Sequence, residues 1–302
     1  MATQRDLPHP EHPSTYVVQD RSNQAELRRL HIQDQMTTAC MDGVLAEQSD
    51  PTLFQRVLDV GCGPGGWLIE AARTYPTMKL LVGVDVSRTF VEDARQQAEA
   101  GQVSDRVEFH AMDALRMLEF PAGFFDLVNL RAGMSWLRTW DWRKLLQEVR
   151  RVTRVGGTVR VTEFEVVPQS TSPALTRLCT LFMQALYHAG HLFAPESAGI
   201  TSQLESLLIR HGFEHIQTHV YTIVSRVGTQ EWQGLVETIR LSGQTFAPFL
   251  EKWTRLPDDY AALCQQALRE MQQPDFLATG RLLTAWGSRS GVPEGDPMWH
   301  DR

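Results

Sequence analysis

The sequence predicts an α/β protein whose core is a doubly wound, mostly parallel sheet. Three observations carry this expectation. Short apolar runs of strand length alternate with helical patterns of about 10–15 residues across 56–167, the mark of successive strand–helix–strand units. The first run, RVLDV at 56–60, opens directly into the glycine-rich turn GCGPGG. The intervening helices carry suitable start and stop residues, with Ser87 opening one and Gly101 closing it.

Residues 22–47 place Leu27, Leu30, Met36 and Met41 at helical recurrence behind Ser22 and Asn23, so one or two helices precede the first strand. After the glycine turn, 66–75 is a helix, 79–86 a second strand, 87–101 a helix, 106–114 a third strand and 125–133 a fourth. Residues 140–157 read as a helix stopped by Gly156-Gly157, and 158–167 as a fifth strand. Beyond Pro168 the pattern changes. Residues 173–194 form an apolar, aromatic helix, and 201–225 a helix, a cap at Gly212 and a sixth strand. Residues 229–278 are mainly helical and 280–289 a last strand. The expected organisation is an N-terminal arm and helical cap (1–50), a core (51–167) and a helical lid (168–200). The rest of the core follows (201–290, with a helical insert at 229–278), then a tail (291–302).

A chain of 302 residues with 42% hydrophobic and 22% charged side chains has an ordinary globular composition. The net charge of −7 argues against a nucleic-acid partner, because no basic stripe is available to displace counterions from phosphates. The local basic concentration RRVTRVGGTVR (150–160) reads as a solvated helix end followed by a strand. Cys40, Cys62, Cys179 and Cys264 form no C-x-x-C pair, which suits a reducing compartment and supports neither a disulfide framework nor a metal site. No apolar run reaches the roughly 18–20 residues of a membrane span. The polar, proline-rich start MATQRDLPHPEHPS reads as a mobile arm, not a secretory signal. A cytoplasmic enzyme or binding protein is expected. Its helical additions serve as a lid or as a homodimer interface.

The glycine turn fits two cofactor fingerprints. Gly61, Gly63 and Gly66 satisfy the G-x-G-x-x-G of a dinucleotide site. Asp59, Gly61, Gly63 and Gly65 satisfy the D-x-G-x-G-x-G of an S-adenosylmethionine site. Asp85, ending the second strand, suits ribose hydroxyls in either case. Asp113 separates them. It ends the third strand in HAMDAL, where a carboxylate can accept from an adenine amino group, with Met112 and Ala114 flanking the ring. Asn129 and Arg131 end the fourth strand and point toward the same crevice.

With these residues in order, the chain resembles a class I S-adenosylmethionine-dependent methyltransferase of the small-molecule type. VLDVGCGPGGW, GVDVS, MDAL, FDLVNLR and RVGGTVRVTE carry the resemblance, Val155 replacing the usual proline before the paired glycines. It implies a seven-stranded sheet with an antiparallel last strand between the fifth and sixth. It also implies backbone contacts to the cofactor from Gly61, Cys62, Gly63 and Gly65, with Asp59 bracing the loop or reaching the amino group. Asp85 would bind the ribose hydroxyls, with Val86 beside it, and Met112, Asp113 and Ala114 the adenine. Asn129, Arg131 and the neutral amide of Gln33 complete the expected cofactor set, S-adenosylhomocysteine being the product.

The expected acceptor is a small, apolar or aromatic molecule, methylated on oxygen, nitrogen or carbon. The helical additions are rich in Tyr16, Phe182, Met183, Tyr187, Phe193, Trp232, Phe246, Phe249 and Trp253. Tyr16, Met134, Trp136, Tyr187 and His188 are the candidate acceptor-side residues. A base is required only if the accepting atom carries a proton. His188 and His191 are first candidates, able to share a helix face unless Gly190 ends the helix, with Glu163 second and His110 third. The alternatives are a non-methylating enzyme such as a cyclase using the same cofactor, or a non-catalytic binding protein.

Overall fold

In the computed structural model, which describes residues 15–20 and 23–291, the alternation becomes a single sheet. Helix α1 (Gln24–Cys40) comes first, and β1 (Arg56–Val60) is followed by α2 (Gly66–Thr74), β2 (Leu80–Asp85), α3 (Arg88–Ala100), β3 (Val107–Ala111) and β4 (Phe125–Arg131). Then come α4 (Asp141–Val152), β5 (Thr153–Phe164), β6 (Gln169–Ser170), α5 (Pro173–His188), α6 (Leu204–Arg210) and β7 (Phe213–Arg226). Three helices, α7 (Gln230–Thr245), α8 (Ala247–Trp253) and α9 (Tyr260–Glu270), precede β8 (Leu277–Arg289). The arm at 1–14, the candidate cap Ser22 and the tail from 292 lie outside the described residues.

The strands run β3-β2-β1-β4-β5 in parallel, and β8 lies antiparallel between β5 and β7. The strand order reverses between β1 and β4, so a crevice opens there at the carboxyl ends. Side chains alternate across the sheet with period two. Leu58, Val60, Val82 and Val128 enter one core with Trp142 and Leu145 of α4, while Val57, Leu81 and Leu127 enter another with α2 and α3. Burial on both faces covers β4 along nearly its whole length, the polar Asp126 and Asn129 included.

Several boundaries depart from the sequence reading. The helix expected to run to the paired glycines ends at Val152, because Thr153 is extended and pairs with Phe125. The next pair is Leu127 with Thr158, so 154–157 bulge out of the ladder, with Gly156 at φ +70. The segment 173–194 is helical only to His188, and 22–47 holds one helix capped by Asn23, whose side chain accepts the Ala25 N–H. The two-residue β6 beside β8 adds an eighth strand to the seven expected. Arg160, on the strand that follows the basic helix end, is fully buried against Glu47.

The helical additions lie together. Gly234 of α7 meets Met36 of α1 so closely that any side chain there would strike the sulfur. Phe182 of α5 stacks on Phe246 at 4.7 Å, bringing α5 to the α7–α8 junction.

Candidate active site

The glycine turn is built from β2. Gly61 and Cys62 donate their N–H groups to Val84 O at 2.8 and 3.0 Å, and Gly63 donates to Asp85 Oδ2 at 3.0 Å. Asp85 Oδ1 accepts the Ser87 N–H at 2.8 Å, so its carboxylate is held from both sides. Gly61 and Gly63 both take φ values, +69 and +52, that favour glycine, and a Cβ on Gly63 would meet nothing within 4 Å. This has a chemical consequence. A pyrophosphate site needs turn N–H groups aimed at the ligand, but these are already bonded to β2. The Asp34 carboxylate, paired with Arg131, also sits against Gly66 at the start of α2. The Asp34 carboxylate beside the start of α2 disfavours a doubly charged pyrophosphate there, while the three turn N–H groups already bonded to β2 fix the loop's shape.

A cavity of about 460 Å³ opens above this turn. Gly61, Gly63, Asp85, Val86, Met112, Asp113, Ala114 and Arg131 line its strand-end half. Asp113 accepts the Leu115 N–H at 2.9 Å and lies 3.6 Å from Arg116. The other half is enclosed by helices: Leu30 and Met36 of α1, Leu178 and Phe182 of α5, Leu235 and Ile239 of α7, and Phe246. Tyr16, Gln33, Met134 and Trp136 also line the cavity.

Several expected site residues lie off its wall. Asp59 is buried below the turn, accepting from Asn129 Nδ2 at 2.7 Å, and burial raises its carboxyl to about 7. Asn129 in turn accepts from Arg160, whose guanidinium also donates to Glu47 at 2.6 Å. Cys62 faces β2, where a side chain on Gly83 would meet its sulfur at 2.9 Å, and burial pushes its thiol up. Gly65 packs on Phe109, which a Cβ would strike at 2.5 Å.

The candidate bases are not together. Gly190, at φ +86, separates the last helical residue His188 from His191. His188 Nδ1 lies 2.9 Å from Trp253 O, and His191 Nδ1 2.9 Å from Leu137 O; since a carbonyl only accepts, both rings donate there. Burial lowers His191 to about 4, leaving it neutral. Glu163 is fully buried behind the cavity, and burial raises its carboxyl to about 8. His110 sits beside Glu108 at 3.2 Å, and Tyr187 and Phe193 are partly exposed and lie off the cavity wall.

Sequence reasoning missed a buried cluster on α1. Tyr16 donates to Glu26, Arg29 forks onto both Glu26 oxygens at 2.7 and 2.8 Å, and Arg29 Nη1 donates to Gln33 Oε1 at 2.5 Å. Glu26, Arg29 and Gln33 fall at i, i+3 and i+7 of one helix stripe, but the sequence reading singled out only Gln33. Among the described residues, no group of three or more His, Cys, Asp or Glu is arranged to hold a metal, and no helix is long and apolar enough to cross a membrane.

At the switch point in strand order a crevice flanked by Asp85 and Asp113 opens into a chamber walled mainly by apolar side chains. Residues 57–157 match the family model of the methyltransferase domain, about a third of the chain. The chain is 34% identical over 125 residues to the methyltransferase GfsG of Streptomyces halstedii, covering 40% of this chain and 42% of that protein. It is 28% identical over 246 residues to the tRNA 5-carboxymethoxyuridine methyltransferase of Escherichia coli O157:H7, covering 80% of this chain and 82% of that protein. The cyclase SpnF shares the fold, with a TM-score of 0.50 at 17% identity, covering 92% of this chain and 99% of that one. The chain spans 42% and 41% of the lengths of GfsG and of the 27-O-demethylrifamycin SV methyltransferase of Amycolatopsis mediterranei.

Proposed function

We propose that the protein transfers a methyl group from S-adenosylmethionine to a small, uncharged, apolar or aromatic molecule. The observation that carries this reading is the continuity of the cavity, whose strand-end half opens into a chamber walled by Leu30, Met36, Phe182 and Phe246. Asp85 would take the ribose hydroxyls and Asp113 the adenine, between Val86, Met112 and Ala114. Arg131 and Gln33 would face the methionine end. Gly61, Cys62, Gly63 and Gly65 give the turn its shape, and Asp59 and Asn129 brace it from below.

The bound cofactor supplies an electrophilic methyl on a positively charged sulfur. The chain's contribution is then alignment and exclusion of water. Tyr16, Met134 and Trp136 line the same cavity and would hold the acceptor against the methyl. No base on the cavity wall is needed for an acceptor that is unprotonated or becomes strongly acidic as the bond forms.

The tRNA relative raises an RNA acceptor as the alternative. Against it stand the net charge of −7 and the wall arginines, since Arg29 is paired with Glu26 and Arg131 with Asp34, leaving neither free for a phosphate. The test is label transfer from methyl-labelled S-adenosylmethionine to a panel of uncharged aromatic and polycyclic alcohols, beside bulk tRNA. Label in the small-molecule fraction supports the proposal. Label in tRNA alone overturns it.

A further inference from the structure

The turn that leaves β4 covers the cofactor loop, yet it has no cap of its own. Ala132 sits at φ 53 and ψ 38 and offers no side-chain hydrogen bond to the single 3-10 turn Gly133–Ser135. The acceptor comes from the neighbouring strand. The register that pairs Arg131 with Thr162 sets Glu163 beside this turn, and the Met134 N–H donates to its carboxyl at 3.2 and 3.3 Å. The Gly133 N–H is a second donor to the same group. A Cβ on Gly133 would lie 2.8 Å from Glu163 Oε1, so a glycine makes room for the carboxyl.

What the turn carries explains why its placement matters. Trp136 lays its indole over Gly61, where a Cβ would meet the ring at 3.0 Å. Ser135 O accepts the Val17 N–H at 2.9 Å, and Trp136 O accepts the Thr15 hydroxyl, so the segment bearing Tyr16 hangs from the same turn. Glu163 itself is absent from the cavity wall and forms no ion pair among the described residues.

We propose that Glu163 is a positioning residue that fastens this roof, acting through the Gly133 and Met134 N–H groups on Trp136 and Tyr16 and not on the reacting atoms. The inference rests on the proposed reading of the cavity as a cofactor and acceptor site. Burial, with the two N–H groups opposing it, raises the carboxyl to about 8, so the acid is mainly neutral at pH 7. A neutral acid offers the turn a carbonyl oxygen, as an amide would. Glutamine should therefore replace it, whereas a side chain of similar length without an acceptor should not.

The experiment compares wild type, Glu163→Gln and Glu163→Met. S-adenosylhomocysteine affinity is measured by calorimetry, and amide exchange at 132–136 by hydrogen–deuterium exchange, with far-UV circular dichroism confirming the fold. Glu163→Gln should bind within about two-fold of wild type and keep the Met134 amide protected. Glu163→Met should bind about ten-fold more weakly and exchange fast in the turn, as expected when buried donors lose their acceptor. The proposal is overturned if Glu163→Gln is as impaired as Glu163→Met, or if Glu163→Met keeps both affinity and protection. Failure of wild type to bind would refute the cofactor reading alone, and the exchange data would still decide the fastening.

Discussion

In the strand-end half of the cavity, Asp85 and Gly63 hold each other across 22 residues of sequence, both at fixed places in one strand–helix–strand unit. In the helical half, Phe182 meets Phe246 and Met36 meets Gly234 across long, irregular stretches of chain. The first half is fastened by backbone hydrogen bonds whose geometry follows from the sheet. The second is held by side-chain packing that exists only once several helices have docked. The difference separates a cofactor site whose form is set by topology from an acceptor site whose form is set by a particular choice of side chains.

The largest predicted effect strikes the floor under the strand-end half. Glu47→Ala leaves Arg160 buried without its carboxylate and should cost about 3–5 kcal/mol of stability in urea unfolding. Replacing both by methionine should cost much less, because no orphaned charge remains. Next comes a pH effect at Asp59. Its folded pKa, about 7, lies above the ordinary carboxylate value. Its contribution to stability is therefore fully present below the unfolded pKa and is lost as pH rises through about 7. Asp59→Asn should flatten the stability difference between pH 5 and pH 8, and an unchanged slope would place the titration elsewhere.

Asp85→Ala should weaken S-adenosylhomocysteine binding by about 1–3 kcal/mol, the loss of hydrogen bonds to a charged group. The matching change in the helical half is Phe246→Ala. It should leave that affinity alone while weakening an uncharged aromatic probe such as 1-naphthol by about 0.5–1.5 kcal/mol, through lost stacking. Equal loss of both ligands in both variants would erase the distinction between the halves. The smallest effect belongs to His188→Ala, which should change stability by no more than about 0.5 kcal/mol and leave methyl transfer unaltered. A bell-shaped pH profile abolished by this substitution would restore it as a base.

How much of this was legible in the sequence follows the same division. Asp85 and Arg131 could be placed because each ends a strand, and Asp113 because it follows one by two residues, since the carboxyl ends of parallel strands share one edge of the sheet. The end of α4 was misread because Gly156-Gly157 resembles a helix stop, whereas Thr153 already pairs with Phe125 and the glycines form a bulge. The burial of Arg160 could not be read locally because its partner Glu47 lies 113 residues away. Glu26 and Arg29 were a visible i, i+3 pair, but their burial depends on Phe246 arriving over the guanidinium at 5.1 Å. Local pattern carries no record of such arrivals. The histidines illustrate the converse, for their spacing suggested a shared face that the turn at Gly190 removes.

The central claim is that the crevice at the glycine turn, with Asp85 and Asp113 on its wall, accepts S-adenosylmethionine and its product S-adenosylhomocysteine and rejects a dinucleotide. Calorimetric titration of the full chain with S-adenosylhomocysteine and, separately, with NAD tests this directly. The account predicts saturable binding of S-adenosylhomocysteine, weakened in Asp85→Ala, and no heat with NAD. Saturable binding of NAD with none of S-adenosylhomocysteine would contradict it.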